Sequence, residues 1–162
     1  MTTETTVEEQ QQMVGEFLEG LAKSFGIEAT VQNVAADEDS FEVNLDGDDK
    51  ELGLLIGPNG NHLVAIHEVS KTMLQRQLSG LDRARIRVDV GGYRSRRREA
   101  LRAYVQELAQ NVISSGVEKG LEPMNAADRK VVHDAVNEID GVSTVSVGDE
   151  PRRRVVLTIA SD

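Results

Sequence analysis

Ile56-Gly57-Pro58-Asn59-Gly60 constrains the fold of this chain more than any other stretch. Two glycines three residues apart form a turn whose backbone meets neighbours without Cβ interference. An apolar run precedes it (Leu52, Leu54, Leu55), and a helical pattern follows (Leu63, Ile66, Val69, Met73). The turn therefore joins two helical segments, with the second helix starting at Asn61. A helix start behind a glycine turn offers N–H groups and a positive dipole end to a phosphate. A tight helix–helix connection with no ligand uses the same residues, so the motif alone leaves both readings open.

Charge divides the chain. The net charge is −10, which taken whole disfavours a nucleic acid partner. Residues 1–51, however, hold 14 acids against Lys23 and Lys50, whereas residues 52–162 hold 16 bases against 14 acids. Arg83, Arg85, Arg87, Arg94, Arg96, Arg97, Arg98 and Arg102 crowd into twenty positions with only Asp89 and Glu99. Exposed charges more than about 8–10 Å apart are screened at physiological salt, so a basic face coexists with an acidic first third. Arg94, Arg98 and Arg102 fall on one helical side and repel one another unless an anion or a carboxylate lies nearby.

Periodicity supplies the element order. Residues 1–13 are polar and are expected to be disordered. Val14, Phe17, Leu18, Leu21 and Phe25 follow helical spacing up to Gly26, and residues 27–34 and 40–46 alternate as two strands of a hairpin. Asp46-Gly47-Asp48-Asp49 lacks the alternating acids and distal Glu of a calcium loop and reads as a turn. Helices are expected over 51–56 and from Asn61 to about Leu78, with Gly80 as a breaker, then a strand over 85–90. Beyond the Gly91-Gly92 hinge, a long helix is expected from Tyr93 to about Lys119. Asn125 caps a further helix to Ile139, with Asp128 near its positive end. Strands over 142–147 and 155–159 close the chain, with Arg152-Arg153-Arg154 entering the last.

Cysteine is absent, so disulfides and thiolate metal sites are excluded. His62, His67 and His133 have no metal-ligand spacing and no nucleophile elbow occurs, so neither an enzyme nor a cofactor is expected. No secretory signal and no apolar run near the roughly 18 residues of a membrane span is present, which predicts a cytoplasmic protein.

The order helix–strand–strand–helix–helix–strand around Ile56-Gly57-x-x-Gly60 resembles the type II KH fold. Tyr93-Arg94-x-Arg96-Arg97-Arg98-Glu99, Leu121-Glu122-Pro123-Met124-Asn125, Arg129-x-x-x-His133 and Glu150-Pro151-Arg152-Arg153-Arg154 resemble the bacterial Jag family, also called KhpB or EloR. The resemblance implies an α+β chain. A type II KH domain (14–91, α-β-β-α-α-β) would precede a small α/β-sandwich-like Arg-x-x-x-His domain (92–162). It implies a protein that binds single-stranded RNA, with single-stranded DNA as the alternative polymer and a second small KH protein as partner. The implied contacts are Gly57, Pro58, Asn59, Gly60, Asn61, Arg94, Arg97, Arg98, Arg129, Lys130, His133, Arg152, Arg153 and Arg154. Family loops mostly carry a basic residue between the glycines. Here Pro58 and Asn59 stand there, and Pro58 has no N–H to donate. The loop is therefore expected to bind weakly and the second domain to supply more of the affinity. The reading of another class is a protein–protein adaptor that uses the KH fold as a dimerisation surface and serves cell-envelope or membrane-insertion machinery.

Overall fold

The computed structural model describes residues 5–78 and 83–161. Gly80, expected to break a helix, lies outside them, as do residues 1–4 of the polar start. The chain divides into two compact units, Met1–Arg94 and Ser95–Asp162, and the division falls in the first turn of a helix.

The first unit runs α1 (Val7–Ser24), β1 (Ala29–Ala36), β2 (Ser40–Gly47), α2 (Asp49–Ile56), a 3-10 turn (Pro58–Gly60), α3 (Asn61–Gln77) and β3 (Arg85–Val90). β1 and β2 form an antiparallel hairpin. β3 pairs with β2 in parallel, so β2 is the central strand. A parallel neighbour needs a long crossover, and α2 and α3 provide it. Phe41, Val43 and Leu45 on β2 and Val88 and Val90 on β3 are buried with Val14 and Leu18 of α1 and Leu55, Leu63 and Leu74 of the crossover helices. Each such side chain contributes about 1.5–3 kcal/mol by leaving water.

The start of the chain departs from expectation. Residues 7–13, read as disordered, form nearly two turns of α1. Thr6 caps that helix in a reciprocal capping box with Glu9. Gln10 accepts from the buried Ala84 N–H at 2.9 Å, and Gln11 donates to the Glu42 carbonyl at 3.0 Å. Two glutamines that look like solvated polar residues in sequence instead tie the helix start to distant backbone. Asp48, in the supposed turn, caps α2 by accepting from the Lys50 and Glu51 N–H groups.

The second unit contains most of α4 (Tyr93–Ser115), then β4 (Lys119–Gly120), α5 (Ala126–Asn137), β5 (Val142–Val147) and β6 (Arg154–Ile159). The strands form an antiparallel sheet in the order β4-β6-β5. Leu101, Val105, Ala109 and Val112 make one stripe of α4, and Val132 and Val136 one stripe of α5. They share a core with Val155 and Leu157 of β6. α4 stops four residues short of the expected Lys119, at Gly116 with φ +69°. The released residues Lys119 and Gly120 pair with β6 instead. That two-residue strand has no periodicity to betray it in sequence. Asn125 caps α5 by accepting from the Asp128 N–H at 2.9 Å, as expected.

Candidate nucleic-acid interface

In the first unit the turn between α2 and α3 holds Gly57 (φ +71°), Asn59 (φ 54°) and Gly60 (φ +75°) in the left-handed region. Both glycines are required by close packing. A Cβ on Gly57 would lie 2.3 Å from Cγ of His62, and one on Gly60 would lie 2.6 Å from Cε1 of Tyr93. The turn is therefore backed by two rings. His62 is anchored through Nδ1, 2.7 Å from the Leu54 carbonyl. A carbonyl only accepts, so Nδ1 carries the proton. Pro58, Asn59 and Asn61 are exposed, and no side chain caps the start of α3. The sequence excludes His62 only as a metal ligand, because His62, His67 and His133 have no metal-ligand spacing. The packing of His62 on Gly57 depends on the fold of the turn and leaves no signature in spacing.

Several residues of the arginine-rich stretch meet carboxylates within their own unit. Arg85 and Arg87 lie on β3 and meet Asp39 at 2.8 Å and Glu42 at 4.0 Å. Arg94 turns inward, its Nε donating to the Val88 carbonyl at 2.9 Å while its own N–H donates to Asp89. Burial lowers the guanidinium pKa of Arg94, and nearby Asp89 partly opposes the shift. In the second unit Arg97 pairs with Asp128 at 3.1 Å, both largely shielded, and Arg102 pairs with Glu138 at 2.6 Å. Carboxylates thus neutralise much of the charge that the sequence suggested was open to an anion. Arg98 is exposed with no partner among the described residues.

Arg129 departs furthest from an exposed helix-face cation. Its side chain is 11% exposed. The guanidinium donates to the Met124 carbonyl at 2.6 Å and to the Glu150 carboxylate. A backbone bond from the Met124 N–H to the Arg153 carbonyl, 3.2 Å, runs beside it. Together these contacts fasten the loop before α5 to the β5–β6 turn. His133, one helical turn on, is half-buried, with Nδ1 2.6 Å from Thr144 Oγ1 and Nε2 2.9 Å from Ser146 Oγ on β5. Lys130 is exposed and pairs along the helix with Asp134. Arg152 and Arg154 are exposed, Arg153 is partly so, and none has an ion-pair partner among the described residues. The second unit therefore combines an internal framework of Arg97, Asp128, Arg129 and His133 with unpaired cations at Arg98 and Arg152–Arg154.

Residues 99–158 match the family model of the R-3-H domain, named for its Arg-x-x-x-His motif, a span that includes Arg129 and His133. The chain is 31% identical over 141 residues to the RNA-binding protein KhpB of Streptococcus pneumoniae, covering 87% of this chain and 42% of that protein. It is 32% identical over 146 residues to the RNA-binding protein KhpB of Clostridium symbiosum, covering 89% of this chain and 64% of the relative. The KhpB of Lactiplantibacillus plantarum is 28% identical over 144 residues, 43% of its length. The chain thus spans less than two thirds of each of these relatives. Among the described residues no helix is long and apolar enough to cross a membrane.

Proposed function

We propose that this chain is an RNA-binding protein of the Jag/KhpB kind, pairing a type II KH domain with an Arg-x-x-x-His domain on single-stranded RNA in the cytoplasm. The observation that carries the proposal is the extent of the likeness. Relatives named as RNA-binding align over 87% and 89% of the chain, across both units. Support for the KH assignment comes from the α-β-β-α-α-β order, the mixed β1-β2-β3 sheet and a glycine turn at the α2–α3 junction. No enzymatic role is assigned.

The roles divide by exposure. Gly57–Asn61 is the turn that meets the sugar-phosphate backbone. Arg98, Lys130 and Arg152–Arg154 supply phosphate contacts, which position a strand without reading its sequence. Arg94, Arg97 and Arg129 hold the framework, and His133 orders the α5–β5 contact. Only three Phe and two Tyr are available for stacking, so sequence preference is small. The test is fluorescence anisotropy of the full chain with a single-stranded RNA across a salt series. Affinity should fall with salt, with a log–log slope of about −0.7 per phosphate contact. Binding that stays constant from low to high salt overturns the proposal.

The adaptor reading has one observation in its favour. β1 is an edge strand, exposed along nearly all its length, with Val34 56% exposed beside its bulge. Such an edge suits strand pairing with a second small KH protein. Light scattering with and without nuclease separates a protein-held complex from an RNA-held one.

A further inference from the structure

The glycine turn directs most of its backbone donors inward. The Gly57 N–H donates to the Gly53 carbonyl and the Gly60 N–H to the Gly57 carbonyl, while the Asn61 N–H donates to the Pro58 carbonyl. Pro58 has no N–H. Asn59 alone among these five residues keeps an amide for which no partner occurs among the described residues. No basic side chain stands between the glycines. A turn with this few donors is a poor phosphate clamp. What it does present is an acceptor. The Leu54 carbonyl holds the His62 proton on Nδ1, so Nε2 of the neutral ring is an acceptor. The side chain is exposed, and Nε2 has no partner among the described residues. The atoms nearest to Gly57 are Cγ, Nδ1 and Cδ2, so the ring lies against the turn with Nε2 on its far side.

We infer that His62 is a nucleic-acid-contact residue whose Nε2 accepts a hydrogen bond from a ribose 2′-hydroxyl, so that this turn favours RNA over DNA. A phosphate offers no proton to that nitrogen, whereas the 2′-hydroxyl does and is the group that separates the two polymers. The ring needs no further ordering, because Leu54 and Gly57 already hold it. The inference rests on the RNA-binding proposal above and adds to it the choice of polymer at one atom.

The test uses the full chain and a single-stranded oligonucleotide made as RNA and as its deoxy counterpart. With three histidines in the chain, imidazole nitrogen NMR resolves His62. RNA should shift the Nε2 resonance and the deoxy strand should not. His62→Phe keeps a ring over Gly57 but removes the Nε2 acceptor, together with the Nδ1 donor to the Leu54 carbonyl. Its RNA affinity should fall about 2–10-fold, the range of one net hydrogen bond, with DNA affinity unchanged. Equal losses on both polymers would mean that His62 only shapes the turn and would overturn the inference, as would an Nε2 signal unmoved by bound RNA. A native chain that binds neither polymer removes the RNA-binding proposal itself and this inference with it.

Discussion

Replacing Arg129 with Ala separates a framework role from a ligand role. Its guanidinium donates to the Met124 carbonyl and to Glu150 from a position 11% exposed. Losing a charge-assisted bond to a shielded carbonyl costs about 1.5–3 kcal/mol. The Glu150 side chain is 61% exposed, so that ion pair adds at most about 1 kcal/mol. The sum is about 2–4 kcal/mol. In a unit of this size each kcal/mol moves the midpoint by roughly 4–8 °C, so Arg129→Ala should lower it by roughly 8–30 °C. The assay is thermal and urea unfolding of the full chain, with the His133 imidazole signal reporting on the second unit. RNA binding is measured in parallel at a temperature where the variant is folded. Below the transition the salt slope should match that of the native chain, because no phosphate contact has been removed. Unchanged stability together with a slope flattened by about 0.7 would make Arg129 a phosphate ligand and refute the framework argument.

Arg152→Ala with Arg153→Ala should have the opposite profile. Stability should stay within about 0.5 kcal/mol, as for surface changes away from buried features, while the salt slope loses about 0.7 for each contact removed. Gly60→Ala places a Cβ 2.6 Å from the Tyr93 ring at φ +75°. It should cost at least about 1–2 kcal/mol from left-handed backbone strain alone. Tyr93→Ala should recover the steric part in a double-mutant cycle read by urea denaturation, and strict additivity of the two changes would argue against the contact. Gln10→Leu leaves the buried Ala84 N–H without its acceptor. A loss of about 1–3 kcal/mol in chemical denaturation is expected, and an unchanged urea midpoint would show that the helix start is not held there.

Local physics made much of this fold readable from residue order. The alternation of Phe41, Val43 and Leu45, the stripe from Leu101 to Val112 and the cap at Asn125 depend on neighbours a few positions away, and each element formed as expected. The first turns of α1 were not readable, because Gln10 and Gln11 are held by partners far along the chain, at Ala84 and Glu42. β4 was missed because two residues carry no period.

Charge was the least legible property. Residue order determined that eight arginines lie within twenty positions and that Arg129 and His133 share a helix face. Tertiary structure decided which of them face a carboxylate. Asp39, Glu42, Asp128, Glu138 and Glu150 come from elsewhere in the chain to meet Arg85, Arg87, Arg97, Arg102 and Arg129. An ion pair depends on distance in space, and that distance exists only once the strands and helices have packed. The same packing laid His62 against Gly57 and fixed the proton on Nδ1. The sequence could show the glycines but not the ring that needs them.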